Sequence, residues 1–255
     1  MLINYSKNQF NLILIALTFL TRFPINFELD FSQQNLNRAS RYFSMIGWLV
    51  GGIVGLAFYL SNLLFDTSLA LLISMFVSVM LTGCFHEDGL VDTCDGFGGG
   101  WTSQQKLTIM KDSRIGTYGA AGLWFVLMFK YQALLQTPSI IIALLIAHPV
   151  SRSLSTSMIY CLPYVMDEQR SKVKPLAEKQ YLSDFLVSLS IGLAALLLVP
   201  QLALIICVVL LVMFFILRWF FIRQIGGFTG DALGACQQIS EVIVYLLLGI
   251  SGVLL

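Results

Sequence analysis

Seven apolar stretches of close to membrane-spanning length leave this chain few folds to adopt. They run at about Tyr42–Phe65, Thr67–Phe85, Gly119–Leu135, Ser139–Tyr160, Leu182–Val199, Leu202–Phe221 and Ile239–Leu255. Roughly 20 predominantly apolar residues cross a bilayer as a helix, which satisfies its own backbone N–H and C=O groups where water cannot. The expected fold class is all-α, a polytopic membrane helical bundle of about seven spanning helices. Phe10–Leu20 is too short to cross comfortably and is expected as an N-terminal interfacial or half-inserted helix; no small-residue cleavage site follows it. One integral membrane domain is expected over 1–255, with 1–41 cytoplasmic or interfacial and 42–255 forming the bundle.

Charge supports this reading. Only 11% of residues are charged and 57% are hydrophobic, whereas a soluble domain carries about 25% charged residues. A net charge of +1 offers no basic patch for a nucleic-acid partner. The five cysteines (Cys84, Cys94, Cys161, Cys207, Cys236) are scattered and mostly in or beside apolar runs. They fit neither a disulfide framework nor a zinc pattern and are expected as reduced core residues.

The links between stretches alternate in character. Those near Asp66, Pro138 and Pro200 are short and lack Lys and Arg. The others hold Lys7, Arg22, Arg38 and Arg41; Lys106, Lys111 and Arg114; Arg170, Lys172, Lys174 and Lys179; Arg218 and Arg223. Seven crossings put every basic link on one side, which the positive-inside rule makes cytoplasmic. The N-terminal region is then inside and the C-terminus outside.

That side carries three polar islands. In the first, His86–Gly96, Asp88, Asp92 and Asp95 stand at i, i+4 and i+7, within roughly 60° of one another around a helix. Three carboxylates on one face repel, so a stable site wants a cation, and an all-oxygen site suits Mg²⁺. A solvated acidic face is the plainer reading, yet such a face normally mixes signs and no Lys or Arg lies between Arg41 and Lys106. The Gly98-Gly99-Gly100 run lacks the Lys-Ser/Thr of a phosphate loop.

The second island holds Lys111, Asp112 and Arg114. These basic residues either anchor the helix end or clamp phosphate, since guanidinium matches phosphate geometry. The third, Gly226-Gly227-Phe228-Thr229-Gly230-Asp231, suggests a backbone-lined pocket with one more carboxylate, or else a flexible loop. Lys130, His148 and Arg152 fall inside expected spans, where charge is costly. Arg152 can line a cavity open to the cytoplasm. Lys130 can snorkel outward, and His148 fits a hydrogen-bonded core histidine.

Taken in order, the islands resemble the cobalamin synthase family, adenosylcobinamide-GDP ribazoletransferases. The resemblance rests on Leu17–Pro24, Arg41–Gly47, His86-Glu87-Asp88-Gly89-Leu90-Val91-Asp92-Thr93-Cys94-Asp95-Gly96, Met110–Gly116 and Gly226–Asp231, spanning about 17–241. Ser44 departs from a common family Pro and bears only on how the first span starts.

The resemblance implies a Mg²⁺-dependent transferase in a prokaryotic inner membrane. It would join adenosylcobinamide-GDP to α-ribazole or its 5′-phosphate and release GMP. Asp88, Asp92 and Asp95, completed by Asp231 or Asp112, would hold the metal. Glu87 and His86 are candidates for accepting a proton. Arg22, Lys111, Arg114 and Arg152, with Gly227, Thr229 and Gly230, would bind substrate. Candidate partners are the lipid bilayer, other enzymes of nucleotide-loop assembly and further copies of the chain.

Two other readings compete with this one. A CDP-alcohol phosphotransferase also sets aspartates around a divalent metal, but needs Ala-Arg after its Asp-Gly, where this chain has Leu90-Val91 after Gly89. A cation transporter would place its ligands near the midplane, not at a charged helix end.

Overall fold

The computed structural model describes residues 2–165 and 177–254. The basic residues Arg170, Lys172 and Lys174 lie outside these. Among the described residues the chain is all helical, apart from one isolated parallel bridge between Tyr164 and Phe228. It is a multi-pass membrane protein.

The elements fall largely where hydropathy puts them. Helix α1 (Leu2–Leu20) buries Leu12, Ile15 and Ala16 and is not among the membrane-length helices. The short α2 (Gln33–Ala39) leads through a 3-10 turn, Ser40–Tyr42, into α3 (Phe43–Asn62). Then come α4 (Thr67–Thr82), α5 (Phe85–Gly99), α6 (Ser103–Met110), α7 (Thr117–Leu135), α8 (Ile140–Cys161), α9 (Leu182–Ala194), α10 (Pro200–Ile225) and α11 (Gly230–Leu254). Asp66 and Ser139 cap α4 and α8 with side-chain oxygens, and Pro200 opens α10 at the position where a missing N–H does no harm.

The expected count of about seven spans is not reproduced. Among the described residues four helices are long and apolar enough to cross: Gln33–Asn62, Ile140–Cys161, Pro200–Ile225 and Gly230–Ile250. A fifth is reached if α4 and α5 count as one broken span. Helix α7 carries Lys130 and Gln132, and Leu182–Leu198 is a shorter apolar helix.

Two differences matter for the site. The stretch expected as a single span over 67–85 breaks at Gly83 and Cys84, both left-handed with φ of 67° and 61°, and the chain turns by 86°. The acidic helix α5 therefore does not prolong α4. Helix α11 also begins at Gly230, well before the expected Ile239. Its first turns bury Gln237, Gln238, Ser240 and Glu241, polar residues that a bundle interior tolerates where they find partners.

Helix α8 is the central post, 78% buried, whereas α10 is only 28% buried and turns most of its surface outward. Small residues let α3 pack hard on α8: a Cβ on Gly47 would come within 2.6 Å of the His148 carbonyl oxygen, and one on Gly51 within 2.7 Å of Leu144's. A buried Arg41–Asp184 pair and the Ser44–Ser188 contact (2.9 Å) tie the start of α3 to α9. The cysteines are free, as expected, but only Cys236 is buried; Cys84 is exposed at the α4–α5 corner.

Candidate active site at the crossing of α5 and α11

Two glycines decide where the acidic helix lies. A Cβ on Gly89 would sit 2.9 Å from the Asp231 carbonyl oxygen, and one on Gly234 would sit 3.2 Å from Gly89 Cα and from the His86 carbonyl oxygen. Only glycine lets the two backbones approach this closely. The crossing sets Asp88 of α5 beside Asp231, in the first turn of α11.

The α11 start is itself clamped. Val165 N–H donates to the Phe228 carbonyl (2.9 Å) and Phe228 N–H to the Pro163 carbonyl (3.0 Å). A Cβ on Gly227 would collide with the Pro163 carbonyl oxygen. Thr229 Oγ1 accepts from Ala232 N–H (3.2 Å), capping the helix.

Beside the crossing lies a cavity of about 320 Å³. Its polar lining includes His86, Asp88, Lys111, Arg152, Ser155, Thr156, Thr229 and Asp231. Its apolar and aromatic lining includes Phe19, Phe43, Phe85, Ile159, Tyr164 and Phe228. Asp92, half-buried one turn beyond Asp88, feels the repulsion of Asp231, Asp88 and Asp95, and Asp88 also repels Asp231. Lys111 is close enough to favour the Asp231 charge. Arg152 is 2% exposed. It donates from Nη1 to the His148 carbonyl (3.0 Å) and to His148 Nδ1 (3.2 Å), while its buried Nε has no protein partner. Burial first, then the carboxylates of Glu178 and Asp231, hold the Tyr164 phenol above its ordinary range, so it stays protonated.

Not every expected site residue reaches this cavity. Both Asp95 oxygens are taken by the start of α7, accepting from Gly116 N–H (2.7 Å) and Gly119 N–H (2.8 Å). The same spacing that puts Asp95 on the acidic face of α5 brings it under a neighbouring helix N-terminus, where amide groups lack intrahelical partners. Asp112 and Arg114 pair with each other at 3.0 and 2.5 Å in solvent. Hydrogen bonds from Arg114 hold the Asp112 carboxyl down at about 2. Arg22 lies at the α4–α5 corner, its backbone N–H on the Leu81 carbonyl (2.8 Å) and its side chain against Gly83. Glu87 turns away from the cavity and accepts from Gln238 Nε2 (3.0 Å). Among the described residues no three His, Cys, Asp or Glu side chains enclose a metal position by themselves.

Behind Arg152 the core holds a network in which sequence reasoning had assigned no role to Glu241. Lys130 does not snorkel: it is buried, its Nζ 3.0 Å from Glu241 Oε1. Glu241 also accepts from Gln237 Nε2 (2.5 Å) and the Tyr245 hydroxyl (3.1 Å). His148 Nδ1 lies 3.5 Å from Glu241 Oε2. Because that nitrogen accepts from Arg152, the imidazole is neutral and this contact is no ion pair. The signal was a set of lone intramembrane charges, Lys130 and Glu241, whose pairing no local pattern reveals.

A bundle of membrane helices with a partly enclosed cavity at one end, where carboxylates and cations meet, is the architecture of an integral membrane enzyme. The chain belongs to the cobalamin-5-phosphate synthase family, whose model matches residues 12–249. It is 47% identical over 249 residues to an adenosylcobinamide-GDP ribazoletransferase of Shewanella amazonensis, covering 95% of this chain and 96% of that protein. It is 44% identical to one of Vibrio parahaemolyticus over 247 residues, covering 95% and 93%. No solved structure matches. Family membership makes the chain a ribazoletransferase of cobalamin synthesis.

Proposed function

We propose that this chain joins adenosylcobinamide-GDP to α-ribazole or its 5′-phosphate, releasing GMP, at the cytoplasmic face of a prokaryotic inner membrane. The observation that carries this is the single cavity in which Asp88 and Asp231, from crossing helices, face Lys111 and Arg152. Transfer from a pyrophosphate is catalysed mainly by positioning and by neutralising charge on phosphate oxygens, and this cavity offers groups of both signs. A ribose hydroxyl of ribazole attacks the corrinoid-side phosphorus. The new P–O bond forms as the bond to GMP breaks, and the hydroxyl proton leaves.

His86, one of the residues lining the cavity, would accept that proton, while Glu87 is turned toward Gln238. Arg152, held rigidly by His148 with its Nε unpartnered, and Lys111 bind the phosphate oxygens. The donor set fits magnesium: Mg²⁺ typically takes one or two carboxylates and completes its shell with water and phosphate. Asp88 and Asp231 would hold it, with Asp92 beside them, and it would supply Lewis-acid stabilisation of the pyrophosphate.

Membranes containing the protein, given both substrates and Mg²⁺, should release GMP, and EDTA should stop them. Asp88→Asn and Asp231→Asn should each lower turnover by about 10² or more while the protein still inserts. Near-wild-type turnover in either variant, or Mg²⁺-dependent cation flux without GMP, overturns the proposal.

A further inference from the structure

We propose that the aromatic walls of the cavity are the receptor for the benzimidazole base of ribazole, while the corrinoid stays outside the mouth. This rests on the transferase reading above and adds which substrate enters.

Size is the first argument. At about 320 Å³ the cavity stands at the lower end of small-ligand pockets, roughly 300–1,000 Å³. That holds one nucleoside; a corrin ring with its amide side chains is several-fold larger.

Wall chemistry is the second. Phe19 packs on Phe43 (centroids 6.0 Å, nearly parallel) and edge-on to Phe85 (4.8 Å), giving one continuous aromatic surface. Tyr164 and Phe228, edge-on at 5.4 Å, give another, and Ile159 of α8 lines the same space. Flat rings are held well by such faces and edges.

Polarity is the third. The reaction brings three flat heterocycles: guanine, the adenine of the adenosyl group and dimethylbenzimidazole. Guanine and adenine carry several donors and acceptors, and burying them without partners is costly. The uncharged walls are mostly Phe, Ile, Leu and Val, with only the hydroxyls of Tyr164, Ser155 and Thr156 among them, and the charged lining is Asp88, Lys111, Arg152 and Asp231. Dimethylbenzimidazole, with two methyl groups and no exocyclic donor, suits those walls. Its ribose would then lie toward Asp88 and Asp231, where the attacking hydroxyl is needed.

Two measurements test this on the full chain purified in detergent. In equilibrium binding without corrinoid, radiolabelled α-ribazole should bind, free 5,6-dimethylbenzimidazole should displace it, and guanosine should not. Ile159→Trp fills the space and should raise the KM for α-ribazole about tenfold or more, leaving the KM for adenosylcobinamide-GDP within about twofold. Should that variant fail to fold, Ile159→Ala serves in its place. It should accept a ribazole analogue with a naphthimidazole base better, relative to α-ribazole, than the wild type does. Displacement by guanosine but not by dimethylbenzimidazole overturns the assignment, as does a rise confined to the corrinoid KM. So does an unchanged base preference in Ile159→Ala. Absence of GMP release by the wild type would instead count against the transferase reading, which the binding measurement does not use.

Discussion

Replacing Lys130 with Met probes the buried network with a worked magnitude. The Lys130 and Glu241 side chains are 8% and 4% exposed, with Nζ 3.0 Å from Oε1. Met keeps most of the volume and removes the charge, so Glu241 is left with Gln237, Tyr245 and, through His148, the more distant Arg152. Removing one partner of a buried pair costs about 3–5 kcal/mol, because the other charge stays desolvated. The neutral donors remaining on Glu241 argue for the lower part of that range. At about 2–4 °C per kcal/mol for chains of this size, melting should fall by roughly 6–12 °C. Lys130→Met/Glu241→Gln leaves no lone charge in the pair and should recover more than half of the loss. The assay is tryptophan-fluorescence melting in detergent, at one scan rate for all variants because membrane-protein unfolding is often irreversible. A single variant that melts with the wild type, or a double variant that simply sums the two losses, would refute the argument.

Asp95→Ala separates the carboxylate that caps α7 from the pair proposed to act in catalysis. It removes two hydrogen bonds that cap α7, so stability should drop by about 1–2 kcal/mol, read by melting. The folded fraction should keep turnover well above that of Asp88→Asn. The Asp112–Arg114 pair predicts a pH response of known sign. A carboxyl held near 2 in the folded protein contributes an interaction fully present above its ordinary value, about 3.9, and lost as pH falls through 2. The loop should therefore show no dependence on this group between pH 5 and 9, and Arg114→Ala should raise the Asp112 titration toward the ordinary value, measured by NMR of a labelled aspartate.

The helical class and the partition into two kinds of link were legible because bilayer crossing is written in hydropathy and in Lys and Arg placement. The acidic island and Asp231 were legible as chemistry, and they do come together. The bend before α5 was not: a left-handed Gly83 is unremarkable, but nothing marks Cys84 to follow it at φ 61°. The role of Asp95 was hidden for a different reason. Helical spacing says which residues share a face, not which neighbour the face meets, and the partner amides of Gly116 and Gly119 lie across an intervening helix. The last apolar stretch looked shorter than the helix that forms because Asp231, Gln237 and Gln238 lower the hydropathy of its first turns, and the partner of Glu241, Lys130, comes from α7.

The Gly89–Gly234 crossing also sets a timetable for the growing chain. Asp88 leaves the ribosome early, whereas Asp231 opens the last helix. Until α11 docks against α5, the two carboxylates have no shared space between them. On the transferase reading, the helices up to α10 are inert by themselves and competence for chemistry waits for α11. A chain stalled before α11 would carry the acidic helix without Asp231 beside it.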